Sequence, residues 1–130
     1  IIDAFRNEDA VIIYLSDHGD EIYDYRNHVG RSHEPIITKE RAMHQYEVPF
    51  MIWVSDKYKE THPDIIGRIN KATNRPFMTD DLPHLMLEFA GINSIWFEPE
   101  RSLINDEYNT ARKRLLEDSK MDYDEIKSPI

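Results

Sequence analysis

Asp17 and His18 stand side by side in the stretch AVIIYLSDHGDEIYDYRNHVGRSHE, Ala10 to Glu34, and two further histidines, His28 and His33, follow on the same segment. A carboxylate offers a hard anionic oxygen and an imidazole a borderline nitrogen, the donor mixture that zinc or manganese accepts. Adjacent residues on a regular strand point to opposite faces. For both to bind one ion the chain must leave strand geometry at this point, and Gly19 permits such a turn. The same pair also suits a polar cap on a strand end, with Gly19 as an ordinary turn residue. Spacing alone leaves both readings open.

The elements around the pair decide where it can point. AVIIYLS, Ala10–Ser16, is a continuous run of β-branched and aromatic residues, short enough for a buried strand. VPFMIWVS, Val48–Ser55, reads as a second strand with Pro49 tolerated near its start and Phe50, Met51, Ile52 and Trp53 in a sheet core. Between them, residues 18–46 lack clear periodicity and hold four of the six histidines: His18, His28, His33 and His44. A loop of that length inside a domain is usually functional. Asp20 and Glu21 read as solvated acids of that loop.

IIDAFRNED predicts a short helix before the first strand, and DKYKETHPDIIGRINKATN predicts one broken or two short helices after the second, with Pro63 in a first turn. TDDLPHLMLEFAGI predicts a helix that starts at Thr79 or Asp80 and stops at Gly91. Its apolar stripe is Leu82, Leu85, Met86 and Phe89; His84 reads as a core histidine or one that supports the site from behind, and His62 as exposed. ARKRLLED predicts a short surface helix, followed by a polar, mobile tail. Residues 109–130 read as a short helix and polar tail. Strands alternating with helices argue α/β with a mostly parallel sheet. Two strands cannot make such a sheet, so the remaining strands must come from elsewhere.

Composition narrows the class of partner. The 130 residues carry 16 Lys and Arg against 25 Asp and Glu, a net charge of -9, which disfavours nucleic acid and anionic membrane surfaces. Without cysteine there are no disulfides and no thiolate metal sites. No apolar run approaches the roughly 18–20 residues that span a bilayer. The opening IIDAF, without Met, reads as a piece of a longer protein.

Four blocks in order, YLSDHGDEIYD with HVGRSHE, EVPFMIWVSDKY and TDDLPHLMLEFAGI, resemble the C-terminal part of the alkaline phosphatase and sulfatase superfamily. Within it they are most similar to phosphoethanolamine transferases that decorate lipid A and lipopolysaccharide. The resemblance covers residues 1–108 and implies the C-terminal part of an α/β/α sandwich with a mostly parallel central sheet. It implies that Asp17 and His18 are zinc ligands and that a later histidine lies near the transferred phosphoryl group or a second metal. His33, in GRSHE, is the better match for that catalytic role, with His28 the fallback. Both are substrate-binding candidates, as is Arg31, which like Arg26 could pair with phosphate oxygens through its planar fork.

The resemblance also implies a threonine that carries phosphoethanolamine from phosphatidylethanolamine to lipopolysaccharide or lipid A. Thr38, Thr61, Thr73, Thr79 and Thr110 are the only threonines, and none stands in the nucleophile context of these enzymes. The nucleophile and the remaining metal ligands are therefore expected in a missing N-terminal part of the catalytic domain. Several N-terminal membrane helices, absent here, would anchor it on the periplasmic side of the inner membrane. The rival readings are a sulfatase, whose site would take calcium, or another phosphodiester hydrolase of the same superfamily, and a non-catalytic binding module.

Overall fold

The structure, a computed structural model, describes residues 1–116 and 121–127. The elements in chain order are α1 (Ile2–Phe5), β1 (Val11–Leu15), β2 (Glu21–Ile22), β3 (Val29–Gly30), α2 (Lys39–Tyr46), β4 (Phe50–Val54), α3 (Asp56–Thr61), α4 (Pro63–Ala72), α5 (Leu82–Phe89), β5 (Leu115–Leu116), β6 (Met121–Asp122) and α6 (Tyr123–Lys127). They fall into two compact units, one of residues 1–13 and 52–112, the other of residues 14–51 and 113–130.

β1 pairs with β4 in a two-stranded sheet. The residue before β1 meets the residue after β4: Ser55 N–H donates to the Ala10 carbonyl at 3.0 Å. This pair therefore runs antiparallel. The mostly parallel arrangement was expected of the whole central sheet, of which the described residues supply this one pair. The two strands are less covered than the sequence predicts. Every residue of β1 is at least partly accessible, Tyr14 is exposed, and Met51 of β4 is exposed. A two-stranded sheet leaves both faces open unless another layer covers them.

In the first unit, Ser55 is fully buried and ties three segments. Its hydroxyl caps α3 by accepting from Tyr58 N–H at 3.0 Å and donates to the Glu8 carbonyl at 2.6 Å. Pro63 begins α4, as its fixed φ favours. A single 3₁₀ turn, Thr79–Asp81, leads into α5, which ends at Gly91 with φ +62°. His84 is buried and its Nδ1 accepts from Glu98 N–H at 3.1 Å, so it is the core histidine the spacing predicts. Leu85 and Ile104 are completely buried. Truncating Leu85→Ala removes buried methyl groups and leaves a cavity, an expected loss of about 2–5 kcal/mol. Chemical denaturation of both proteins checks this, and a change below 1 kcal/mol would contradict the packing described.

The second unit centres on Ile37, Ala42, Leu116 and Tyr123, with Tyr46, Met121 and Ile126 packed around them. Here three expectations change. Residues 18–46 are not one loop: Lys39–Tyr46 form α2, capped by Thr38, whose Oγ1 accepts from Arg41 N–H at 3.2 Å. His44 accordingly lies on that helix. The signal was present in KERAMHQY, a run dominated by good helix formers behind a capping threonine. The helix predicted over ARKRLLED is replaced by strand at Leu115–Leu116, because these residues pair antiparallel with Met121–Asp122; its last two residues lie outside the described ones. The expected mobile tail, as far as it is described, is instead anchored by the burial of Leu116 and Tyr123. Tyr123 also donates to Glu47, and Lys127 binds Glu47 at 2.8 Å.

Candidate metal centre

Ser16, Asp17, His18 and Gly19 follow directly on β1. The turn is held by local bonds: Ser16 Oγ donates to the His18 carbonyl at 2.7 Å, and Asp17 Oδ1 accepts from His18 N–H at 3.1 Å. His18 Nδ1 lies 3.1 Å from the Gly19 carbonyl. A carbonyl can only accept, so in the neutral ring the proton sits on Nδ1 and the lone pair on Nε2. This is the arrangement that fixes the tautomer of a metal-binding histidine. Asp17 Oδ2 lies 3.6 Å from His18 Nε2. Two ligands on a tetrahedral zinc, with bonds of about 2.1 Å, stand about 3.4 Å apart. The Asp17 side chain is 88% exposed and that of His18 38%, so both donors remain reachable. The pair thus fits two corners of a zinc site.

Gly19 serves a different purpose from the turn the sequence suggests. Its φ is not positive. A Cβ there would stand 2.2 Å from the His44 carbonyl oxygen, and the Gly19 N–H donates to the neighbouring Gln45 carbonyl at 3.2 Å. Glycine is needed because the backbone of the turn lies against the end of α2.

Glu21, read from the sequence as a solvated acid, is 1% exposed. Its two oxygens receive the Arg26 fork, Nε at 2.6 Å and Nη2 at 2.8 Å, and Gln45 Nε2 also donates to it. The guanidinium bonds of Arg26 hold the Glu21 carboxyl down at about 2 against its usual 4.5. The folded state therefore gains from the ionised carboxylate at any pH above 4.5 and loses that gain as pH falls from 4.5 toward 2. Melting temperatures measured from pH 6 to 2 should fall more steeply for wild type than for Glu21→Gln across that window; parallel curves would refute the assignment.

Arg26 is occupied as well: besides Glu21 it reaches Ser32 Oγ and Glu34 Oε1, each at 2.8 Å. Its fork is committed to the protein and not presented to a phosphate. Arg31 is exposed. His28 is partly buried; its Nε2 is enclosed and meets no hydrogen-bond partner among the described residues. His33 is exposed. Among the described residues no group of three His, Asp or Glu side chains could hold a metal ion, so Asp17 and His18 remain a pair. Three threonines have structural partners: Thr38 caps α2, Thr61 Oγ1 reaches the Lys57 carbonyl at 3.0 Å, and Thr73 Oγ1 the Asn70 carbonyl at 2.9 Å.

An α/β frame that delivers an Asp-His pair at a strand end defines the class: the chain belongs to the sulfatase family, whose profile matches residues 1–92. The relatives place it more narrowly. It is 28% identical to the phosphoethanolamine transferase EptC of Escherichia coli K12 over 82% of this chain and 18% of the relative. With the phosphoethanolamine transferase CptA of Salmonella typhimurium it shares 29% over 78% of this chain and 17% of the relative. A shorter match, 37% over 46% of the chain and 10% of the relative, joins it to the Kdo(2)-lipid A phosphoethanolamine 7''-transferase of E. coli K12. The crystal structure of the C-terminal periplasmic domain of E. coli EptC superimposes with a TM-score of 0.75 at 28% identity, covering 95% of this chain and 35% of that one. The same domain in complex with zinc gives 0.70, with 95% and 34% covered. The chain thus has the α/β fold expected of it and spans less than a fifth of the length of these curated relatives.

Proposed function

We propose that this chain is the part of a phosphoethanolamine transferase that supplies two ligands to a catalytic zinc and the loop facing the transferred group. The enzyme would take phosphoethanolamine from phosphatidylethanolamine and deliver it to lipopolysaccharide or lipid A, at the periplasmic face of the inner membrane. The observation that carries this reading is the Asp17–His18 turn, with Nε2 and Oδ2 a zinc edge apart and Nδ1 fixed by a backbone carbonyl. The zinc complex of the EptC domain supports the choice of metal over manganese or calcium. When bound, zinc would neutralise charge on phosphoryl oxygens and lower the pKa of an attacking hydroxyl.

The residues of this chain then divide the work. Asp17 and His18 would hold the ion. His33, exposed on its loop, would stand near the phosphoryl group and donate a hydrogen bond or a proton there; His28 and Arg31 lie on the same segment. The nucleophilic threonine belongs to another part of the enzyme.

The test uses the full-length protein, vesicles containing phosphatidylethanolamine, and lipid A, with the product followed by mass. Transfer that disappears on chelation and returns with zinc supports the reading. Hydrolysis of a sulfate ester or phosphodiester with no gain of mass on lipid A would replace it with the hydrolase alternative. Among its described residues the chain brings together two donors where tetrahedral zinc takes four. It should bind zinc weakly and transfer nothing, and a tight one-to-one site in equilibrium dialysis would contradict this.

A further inference from the structure

One residue of α2 touches every segment that matters to the candidate site. Gln45 is buried; its backbone carbonyl accepts from Gly19 N–H, directly after the metal pair. Its side-chain amide donates to Glu21 and, at 3.2 Å, to Ser32 Oγ, while its Oε1 accepts from Arg41 Nε at 3.1 Å. From the other side Arg26 forks onto Glu21 and extends to Ser32 and Glu34. Arg41 completes the ring by donating to the Ser32 carbonyl at 2.5 Å and the Glu34 carbonyl at 2.7 Å. Both neighbours of His33 in sequence are therefore bound through backbone and side chain alike, although the imidazole itself is exposed.

We propose that Glu21, Arg26 and Gln45 form a clasp, buried at Glu21 and Gln45, that holds the His33 segment and the Asp17–His18 turn to the same helix end, so that these three are positioning residues for the transfer reaction. The physical reason lies in the chemistry of the clasp. A segment of exposed polar residues has no apolar burial to order it, and its backbone would sample many conformations. A bidentate guanidinium–carboxylate pair has fixed planar geometry, and in a buried site its hydrogen bonds gain strength and directionality. Connecting the same Gln45 to the amide after His18 and to Ser32 before His33 leaves both candidate groups referred to one helix end. Loss of orientation at the neighbours of a reacting group costs rate without removing the group itself.

This inference rests on the transferase reading, and the experiment separates the two. In the full-length protein, Arg26→Lys keeps a cation beside Glu21 but cannot fork and extend to Ser32 and Glu34 together; Arg26→Gln removes the charge. Transfer to lipid A, zinc content and melting temperature are measured for both, alone and combined with His33→Ala. The expected result is a roughly 10- to 100-fold fall in kcat, the range seen when partners of metal-site ligands are removed. KM for phosphatidylethanolamine and zinc content should stay close to wild type, and Arg26→Lys should remain folded at the assay temperature. Adding either change to His33→Ala should cause little further loss, because the clasp acts through the segment already disabled. A kcat within twofold of wild type in folded Arg26→Lys would overturn the clasp, as would losses that multiply with His33→Ala. Wild-type protein that transfers nothing would overturn the transferase reading instead.

Discussion

Replacing His18 by alanine in the full-length protein is expected to remove zinc and transfer together, with activity falling by at least about 10²–10³-fold. That range is the loss caused by deleting one element of preorganised electrostatic stabilisation, and metal chemistry places more than one such element on the ion. The expectation follows from the tautomer. With the Nδ1 proton directed at the Gly19 carbonyl, 3.1 Å away, Nε2 has no task within the turn beyond facing Asp17 Oδ2. Were the pair only a strand-end cap, the bonds of Ser16 Oγ to the His18 carbonyl and of His18 N–H to Asp17 would survive the substitution, since they use backbone atoms of residue 18. Zinc content by atomic emission and transfer by mass would then be unchanged. His62→Ala is the control, because that ring packs at a tilt against Tyr58 in the other unit. Retained zinc and retained transfer in His18→Ala would end the metal assignment.

The second large effect is expected at Gly19. Alanine there places a methyl carbon 2.2 Å from the His44 carbonyl oxygen, a backbone atom that cannot rotate away. Either the turn or the end of α2 must move, at a cost of about 1–3 kcal/mol for overpacking. Movement also strains the Gly19–Gln45 bond. Since a displacement of about 1 Å can cost about a hundredfold in rate, Gly19→Ala should lower transfer far more than its stability loss accounts for at a temperature where the protein is folded. Circular dichroism supplies the folded fraction and the mass assay the rate. A folded variant with wild-type transfer would show that the turn tolerates the shift.

Much of this was legible in the sequence because it depends on neighbours along the chain. Continuous apolar runs of strand-forming residues marked β1 and β4, Pro63 and Gly91 marked helix boundaries through their backbone preferences, and His84 was placed in the core by its spacing on α5. Asp17 and His18 were found for the same reason, as donors at the end of an apolar run.

Tertiary structure decided what those local rules leave open. Glu21 looks like any loop acid until Arg26 and Gln45, the latter 24 positions away, enclose it. Gly19 looks like a turn residue until the His44 carbonyl is seen against it. The segment after Lys113 reads as polar tail because its apolar residues are sparse, yet Leu116 and Tyr123 are buried, and Tyr123 finds Glu47 76 positions back. By itself the sequence offered Asp17 and His18 as donors and marked β1, β4 and the helices after them. Which acids are buried, which glycine is indispensable and which loop is held fast were set by contacts between distant residues, and periodicity carries no record of those.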